Sequence, residues 1–143
     1  MRILLDTNII VDVALEREPF YIASMRVLTF AYRGEIEAFI SASTVSDIYY
    51  IVRKAKGHDE TLEFLRIIAL FCRIATVDQR VISSALTSNF KDFEDAVQYE
   101  TAIANQLEAI VTRNPQDFPG DVLPILTPEA LRQQLSQSND RSS

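Results

Sequence analysis

The sequence contains few of the side chains on which many active sites and small disulfide-rich domains depend. It has one cysteine, Cys72, and one histidine, His58. A single cysteine excludes an internal disulfide, and these two residues together do not supply the ligands of a structural zinc site. Cys72 lies in an apolar stretch, which favours core packing over reactivity. His58 lies in the turn-like segment 56–59, so a Ser-His-Asp hydrolase is disfavoured.

Glycine-rich loops and long apolar runs are also missing from the sequence. The three glycines are scattered at positions 34, 57 and 120, which disfavours nucleotide-loop enzymes. The apolar runs, such as residues 67–71, fall well short of the ~20 residues that a membrane-spanning helix requires. Asp6 comes too early to leave room for the apolar stretch of a secretory signal. We therefore expect no membrane segment and a cytoplasmic location.

Positive charge is outnumbered by negative charge. The 14 Lys and Arg residues face 20 Asp and Glu residues, for a net charge of -6, which argues against non-specific nucleic-acid binding through a broadly basic surface. With 143 residues, 48% of them hydrophobic, the chain can bury one core of ordinary size. We expect a single domain over residues 1–135 and a disordered tail over residues 136–143.

Short apolar segments alternate with helical patterns along the chain. The first apolar segment, residues 3–5, suits a buried parallel strand, although three residues alone do not exclude a helix. Pro124 lacks an N–H, so the last strand belongs at an edge of the sheet. The alternation predicts an α/β fold with a central parallel sheet of four or five strands, flanked by helices in three layers. The predicted strands are 3–5, 37–41, 72–75, 109–112 and 122–126. Helical patterns cover 9–15, 26–32, 43–54, a segment that Asp59 can cap and that runs to residue 69, a segment capped by Asp78, 93–107 and a segment starting at 127.

Acidic residues follow strands and begin helices in a way that suggests one site. Ligands of open α/β sheets bind outside the carboxyl ends of the strands, where Asp6 and the loop 112–117 are expected. Asp47 and Asp95 fall near helix starts that can face the same edge, although helix capping is an alternative role for Asp6. Converging carboxylates repel one another and need a cation. Oxygen ligands favour Mg²⁺ or Mn²⁺, which can activate a water for phosphodiester hydrolysis.

Three segments carry a resemblance to a known family. They are LLDTN at residues 4–8, DFEDA at residues 92–96 and VTRNPQDF at residues 111–118. In this order and spacing, over about residues 2–126, the sequence resembles PIN-domain proteins, including the toxin nucleases of VapC-type toxin-antitoxin pairs. The resemblance implies a ribonuclease that cleaves single-stranded RNA with Mg²⁺ or Mn²⁺. It also implies a homodimer and, for a toxin, an antitoxin partner.

The same resemblance implies roles for individual residues. Asp6, Asp95 and Asp117 match the metal-binding acids of the family, and together with Asp47 they make up the expected catalytic set. The polar residues that match groups hydrogen-bonded to the carboxylates or to metal-bound water are Thr7, Asn8, Thr112 and Asn114.

Asp47 departs from the family pattern, which usually has a glutamate at this position. An aspartate is shorter by about 1.5 Å, one carbon-carbon bond, so we rank Asp47 below Asp6 and Asp95. Asp92 and Glu94 compete with Asp95, and an exposed charge at a helix start is the expected role of both.

The roles of several other residues stay open at this point. Asp12 and Asp121 lie away from the predicted edge, and we expect both to be solvated. Arg113 lies beside the acids, where it can contact a phosphate or pair with a carboxylate. The aromatic residues that can stack on unpaired bases or pack in the core are Tyr49, Tyr50, Phe93 and Tyr99.

Two other functions compete with the nuclease. A catalytically inactive PIN-like module that binds RNA or a protein is compatible with the Asp47 departure and the acidic composition. A phosphatase with Asp6 as nucleophile is disfavoured, because Asn8 stands where such an enzyme needs a general acid.

Overall fold

A parallel sheet of five strands organises the chain. The structure, a computed structural model, describes residues 1–142, with side chains described through residue 138. Its strands are β1 (Arg2–Leu5), β2 (Glu37–Ser41), β3 (Cys72–Ala75), β4 (Ala109–Val111) and β5 (Ile125–Leu126). All neighbouring strands run parallel in the order β3-β2-β1-β4-β5, so the predicted parallel sheet is confirmed.

Helices lie on both faces of this sheet. Within the described residues they are α1 (Thr7–Ala14), α2 (Tyr21–Tyr32), α3 (Val45–Lys56), α4 (His58–Ala69), α5 (Gln79–Leu86), α6 (Phe93–Ala104) and α7 (Pro128–Ser142), with short 3-10 turns at Ala42–Thr44 and Pro115–Asp117. The predicted three-layer α/β arrangement is confirmed. The predicted cap of α5 is present as well, since the Asp78 carboxylate accepts a hydrogen bond from the Val81 N–H at 3.1 Å.

The central strands β1, from Ile3 onward, and β4 are apolar because both of their faces are buried. In β1, Ile3 and Leu5 pack with α1, α2 and the other helices of one layer, while Leu4 packs against α6 in the other layer. β4 repeats this alternation, with Ala109 and Val111 on the first face and Ile110 on the second. A strand buried on two sides reads as a continuous apolar run, which is the pattern that predicted it.

The strand order fixes where a site can form. From β1 the chain builds β2 and β3 on one side, and it later returns to add β4 and β5 on the other side. Successive strands are therefore added toward one edge of the sheet from β1 to β3 and toward the other edge from β4 to β5. The change of direction falls between the neighbouring strands β1 and β4. Loops leaving the carboxyl ends of such strands diverge and leave a crevice, which is where ligands bind in open α/β sheets.

The segment between β4 and β5 is held against α6 by Tyr99. The Tyr99 hydroxyl accepts hydrogen bonds from the Val122 N–H at 2.9 Å and the Leu123 N–H at 3.3 Å. Gly120 lies directly on the same ring, where a Cβ atom would come within 2.2 Å of Tyr99 Cζ. Glycine is therefore required at position 120 for this close approach.

The last part of the chain differs from the disordered tail expected over residues 136–143. The backbone of α7 continues as helix from Pro128 through Ser142, and Ser143 lies outside the described residues. Among the described residues, no helix combines the length and the apolar character needed to cross a membrane.

Burial of the strand residues makes a testable prediction about stability. Ile110 is fully buried, whereas Ile22 on α2 is 65% exposed. Ile110→Ala removes the same atoms as Ile22→Ala, but it leaves a cavity in a packed core and should lower the free energy of unfolding by about 2–5 kcal/mol. The Ile22 variant should change it by less than about 0.5 kcal/mol. Urea denaturation measures both, and equal losses would contradict the packing described.

Candidate active site

Asp6 stands at the carboxyl end of β1 with its carboxylate almost entirely buried. Its backbone N–H donates to the Val111 carbonyl at 3.0 Å, which fixes it beside the end of β4. Asp6 occupies the position before α1, but its side chain makes no capping hydrogen bond. Instead, Oδ1 accepts from Gln98 Nε2 at 2.9 Å and Oδ2 accepts from Thr112 Oγ1 at 2.7 Å. The structure therefore does not use this carboxylate as a helix cap.

The Thr112 side chain forms hydrogen bonds with the end of β1, the start of α1 and the loop after β4. Its hydroxyl is buried, donates to Asp6, and accepts hydrogen bonds from the Asn114 backbone N–H at 3.0 Å and from Asn8 Nδ2 at 3.5 Å. Asn114 thus takes part through its backbone. Thr7 makes no side-chain hydrogen bond to these groups within the part of the chain that the structure describes.

Gln98 was missed by the sequence reasoning, although it holds one oxygen of Asp6. It lies on α6, three residues after Asp95, and is 2% exposed. Residues three apart share a helix face, so the spacing of Gln98 from the candidate ligand Asp95 was the only signal in the sequence. Gln98 Oε1 and Asn8 Oδ1 are buried oxygens without a hydrogen-bond partner among the described residues. Leaving such an acceptor unpaired costs about 1–3 kcal/mol, so both oxygens favour a bound donor or cation nearby.

Asp95 and Asp117 line a cleft of about 490 Å³ beside Asp6. Asp92 caps α6 by accepting the Asp95 N–H at 3.0 Å, which sets the start of the helix. Burial is the largest cause, followed in order by the negative charges of Asp6, Asp92, Asp117 and Glu94, and together they raise the pKa of Asp95 to about 7. The acids predicted from distant parts of the sequence therefore lie close enough to repel one another.

Asp47 reaches the same edge from the first turn of α3. Its carboxylate lies close enough to Glu94, at the start of α6, to affect the ionisation of that residue. Partial burial and then the neighbouring Asp47 carboxylate raise the pKa of Glu94, with smaller contributions from Asp92 and Asp6. Glu94 is exposed in the first turn of α6, as expected, but it also lies close to a second acid.

These acids have the chemistry of a hard-cation site but are not gathered around one point. In the described part of the chain, none of Asp6, Asp47, Glu94, Asp95 and Asp117 forms an ion pair with a Lys or Arg. No three acidic, histidine or cysteine side chains of residues 1–138 are arranged closely enough to chelate an ion as they stand. The oxygen-only donor set fits Mg²⁺ or Mn²⁺, which keep several waters and need few protein ligands.

The structure corrects one expectation and decides another. Asp12, expected to be solvated, is fully buried and accepts two hydrogen bonds from the Arg113 guanidinium. Nothing in the sequence indicated that Asp12 is buried, because its partner Arg113 lies 101 residues away. Arg113 thus pairs with a carboxylate, and Asp121 is exposed as expected.

Comparison with known proteins identifies the family. The family model described as PIN domain matches residues 2–116. The chain therefore belongs to the PIN-domain family, and the predicted resemblance is confirmed.

Curated and solved relatives agree with this assignment. The chain is 23% identical to Ribonuclease VapC1 of Aquifex aeolicus (strain VF5) over 132 residues, which is 90% of this chain and 92% of the relative. Among solved structures, VapBC2 from Rickettsia felis bound to a DNA fragment from its promoter has a TM-score of 0.67 and 18% identity, covering 89% of this chain and 98% of that chain. A toxin-antitoxin complex from Klebsiella pneumoniae has a TM-score of 0.66 and 24% identity, covering 87% and 96%.

The raised pKa of Asp95 makes stability depend on pH in metal-free buffer. Because its pKa is about 7 in the folded protein against an ordinary 3.8, its contribution is fully present below pH 3.8 and is lost as the pH rises through 7. Asp95→Asn cannot ionise, so relative to wild type it should gain on the order of 1 kcal/mol between pH 5 and pH 8, after allowance for solvent screening. Thermal melts in EDTA measure this difference. Asp59→Asn, at an exposed position of α4, controls for the loss of one charge, and a constant difference for Asp95→Asn would contradict the carboxylate cluster.

Proposed function

We propose that this PIN-domain protein is a Mg²⁺- or Mn²⁺-dependent endoribonuclease that hydrolyses phosphodiester bonds of single-stranded RNA. The observation that carries the proposal is that carboxylates from four chain segments, none of them in an ion pair with any described residue, lie close enough at the carboxyl edge of the sheet to raise the pKa of Asp95 and Glu94. Acids placed so close without a cation favour binding of one. The ribonuclease name of the Aquifex relative supports the same activity.

In this proposal Asp6, Asp95 and Asp117 hold the metal ion, and Asp47 completes the catalytic set. When bound, the ion supplies a Lewis acid that lowers the pKa of the attacking water and balances charge on the phosphate. Thr112 and Gln98 each donate to one oxygen of Asp6, so this carboxylate is held in one orientation. Each carboxylate oxygen has two acceptor positions, so both oxygens remain able to bind a cation.

The closeness of Asp47 and Glu94 suggests how the site works with an aspartate at position 47, where the family usually has a glutamate. Asp47 is too short to take the place of a glutamate directly, but Glu94 approaches it from the opposite helix. We propose that the two carboxylates together occupy the position where the family usually has one glutamate. A proton, a water or a cation shared by the pair would relieve their repulsion.

Single-stranded RNA is favoured as substrate by the aromatic residues around the acids. Tyr50, one turn after Asp47 on α3, is 58% exposed, and Phe93 at the start of α6 is 48% exposed. The Arg53 guanidinium lies 5.8 Å from the centre of the Tyr50 ring. Exposed rings beside a cationic group bind unpaired bases by stacking without requiring a basic surface overall. Lys91 lines the cleft with Asp95 and is placed to meet a phosphate.

The activity is tested by incubating a fluorescent single-stranded RNA with the protein and Mn²⁺ or Mg²⁺. Asp6→Asn and Asp95→Asn should each reduce the rate by at least about 100-fold, because both remove a negative metal ligand without changing side-chain size. Asp59→Asn, the same substitution at an exposed position of α4, should cleave like wild type. EDTA should abolish cleavage in every sample.

Two outcomes would contradict the nuclease. Equal cleavage by all variants would identify a contaminating enzyme. No cleavage by wild type, with no rise in melting temperature in millimolar Mn²⁺, would favour the alternative of a PIN-like module that binds RNA or a protein.

We further propose that the protein is a homodimeric toxin with an antitoxin partner. The relatives from Rickettsia felis and Klebsiella pneumoniae are described as toxin-antitoxin assemblies, and an apolar groove of about 300 Å³ runs between α1, α2 and α4. Around this groove Met25, Tyr32 and Ile67 are between 41% and 75% exposed. Exposed apolar surface of this kind marks a protein interface, and a groove between helices suits an amphipathic helix.

The partner proposal is tested by co-expression with the product of any small gene adjacent to the one for this chain. Met25→Glu should prevent co-purification because it places a charge in the apolar groove, and RNA cleavage by the isolated variant should be unchanged. Sedimentation of the chain alone should give about twice its mass of 16.2 kDa. Absence of such a gene, or capture unaffected by Met25→Glu, would leave a stand-alone processing nuclease as the better description.

A further inference from the structure

A buried ion pair links the first two helices to the loop after β4. The Asp12 carboxylate on α1 is fully buried. It accepts hydrogen bonds from Arg113 Nε at 2.6 Å, from Arg113 Nη2 at 3.1 Å and from Ser24 Oγ on α2 at 3.1 Å. A bidentate pair of this kind fixes both the distance and the plane of the guanidinium.

The guanidinium is also held on its flat face. The Arg113 Cζ atom lies 3.9 Å from the centre of the Phe20 ring, and the arginine side chain is 19% exposed. Two of its three nitrogens bind Asp12, and one face is covered by an aromatic ring. This leaves only part of the guanidinium for any other ligand, which argues against a phosphate contact as its main role.

Arg113 lies in the chain directly between two residues that support Asp6, so the Asp12–Arg113 pair holds the backbone of this part of the site. Arg113 follows Thr112, whose hydroxyl orients Asp6, and precedes Asn114, whose N–H binds that hydroxyl. The chain then turns at Pro115–Asp117, closed by the Asp117 N–H donating to the Asn114 carbonyl at 3.0 Å. The segment 112–117 therefore carries two groups of the proposed site within a few residues of the ion pair.

This segment is anchored on opposite faces of the sheet. At one end Arg113 reaches α1 and α2, and at the other end Phe118 is buried with Leu4 and Tyr99 on the second face. Asp117 lies between these two anchors and is itself exposed. Loss of the Arg113 anchor would free one end of the segment while the strand and Phe118 remain packed.

We infer that the Asp12–Arg113 ion pair is a positioning element of the metal site, which fixes segment 112–117 so that Thr112 and Asp117 keep their places relative to Asp6. The inference rests on the proposed function. Within the described residues, neither Asp12 nor Arg113 forms a hydrogen bond or ion pair with the carboxylates of the cluster, so the pair acts through Thr112 and Asp117. Supporting residues of this type commonly change metal affinity by 10- to 100-fold when removed.

The test measures Mn²⁺ affinity directly, by electron paramagnetic resonance of the free ion, with no dependence on turnover. Arg113→Met should weaken Mn²⁺ binding at least about tenfold, and Arg113→Lys, which keeps the charge but not the two-pronged bond, should fall between it and wild type. Arg66→Met is the control, since Arg66 forms an exposed pair with Glu63 on α4. Its Mn²⁺ affinity should equal that of wild type.

A double variant separates positioning from simple loss of stability. Arg113→Met leaves Asp12 buried without a partner, whereas Asp12→Leu with Arg113→Met removes both charges and should recover the melting temperature. The double variant should still bind Mn²⁺ weakly and cleave with a lower kcat at unchanged KM for RNA. Wild-type Mn²⁺ affinity in a folded double variant would overturn the inference. A raised KM with unchanged kcat and Mn²⁺ affinity would instead assign Arg113 to RNA contact.

Amide hydrogen exchange distinguishes failure of the inference from failure of the proposed function. If wild type binds no Mn²⁺ and cleaves no RNA, the proposed function fails. Faster exchange at Asn114 and Asp117 in the double variant would still support positioning of the segment, and unchanged exchange would refute it.

Discussion

The hydrogen bond from Thr112 to Asp6 joins the ends of β1 and β4, and the arrangement of the site depends on it. Thr112 holds one oxygen of Asp6, and Gln98 on α6 holds the other. These two donors stabilise a negative charge that burial and the neighbouring acids oppose. One donor follows β4 and the other lies on α6. The carboxylate therefore keeps this orientation only while both elements are packed against β1.

Repulsion between the acids is the property that suits this site to a cation. In a folded protein, a cluster of carboxylates lowers stability unless protons or metal ions neutralise it. The helices that bring Asp47, Glu94 and Asp95 together are fixed by apolar packing on the sheet, so the acids cannot simply move apart. The stable apolar core therefore holds the acids in place at one edge of the sheet, although their mutual repulsion is unfavourable.

Much of this fold could be predicted from the sequence because its central strands are buried on two sides. The continuous apolar runs and the polar residues that end them gave the sheet, the bounds of β2 and β3, and the edge at which Asp6 and segment 112–117 lie. β5 was expected over 122–126 but is limited to Ile125–Leu126. The main-chain donors before it bind the Tyr99 hydroxyl, a tertiary contact that local pattern does not reveal.

The supporting polar residues were harder to predict for the same reason. Gln98 and Asp12 look like ordinary surface residues in the sequence, yet each is buried against a partner about a hundred residues away. The spacing of apolar residues indicates which face of a helix is buried. A buried amide or carboxylate interrupts that spacing, so the pattern marks its position as exposed. Glu94 is an exposed charge at a helix start, as expected, but nothing nearby in the sequence indicates that Asp47 lies close to it.

The order β3-β2-β1-β4-β5 has a consequence for the synthesis of the chain. Asp6 is synthesised well before β4 and segment 112–117, which lie about a hundred residues further along the chain. A parallel pairing between such distant segments closes a long loop and forms slowly. A nascent chain that ends before β4 contains the first acid without the threonine that orients it, so the acidic centre cannot assemble until β4 and Thr112 have been synthesised.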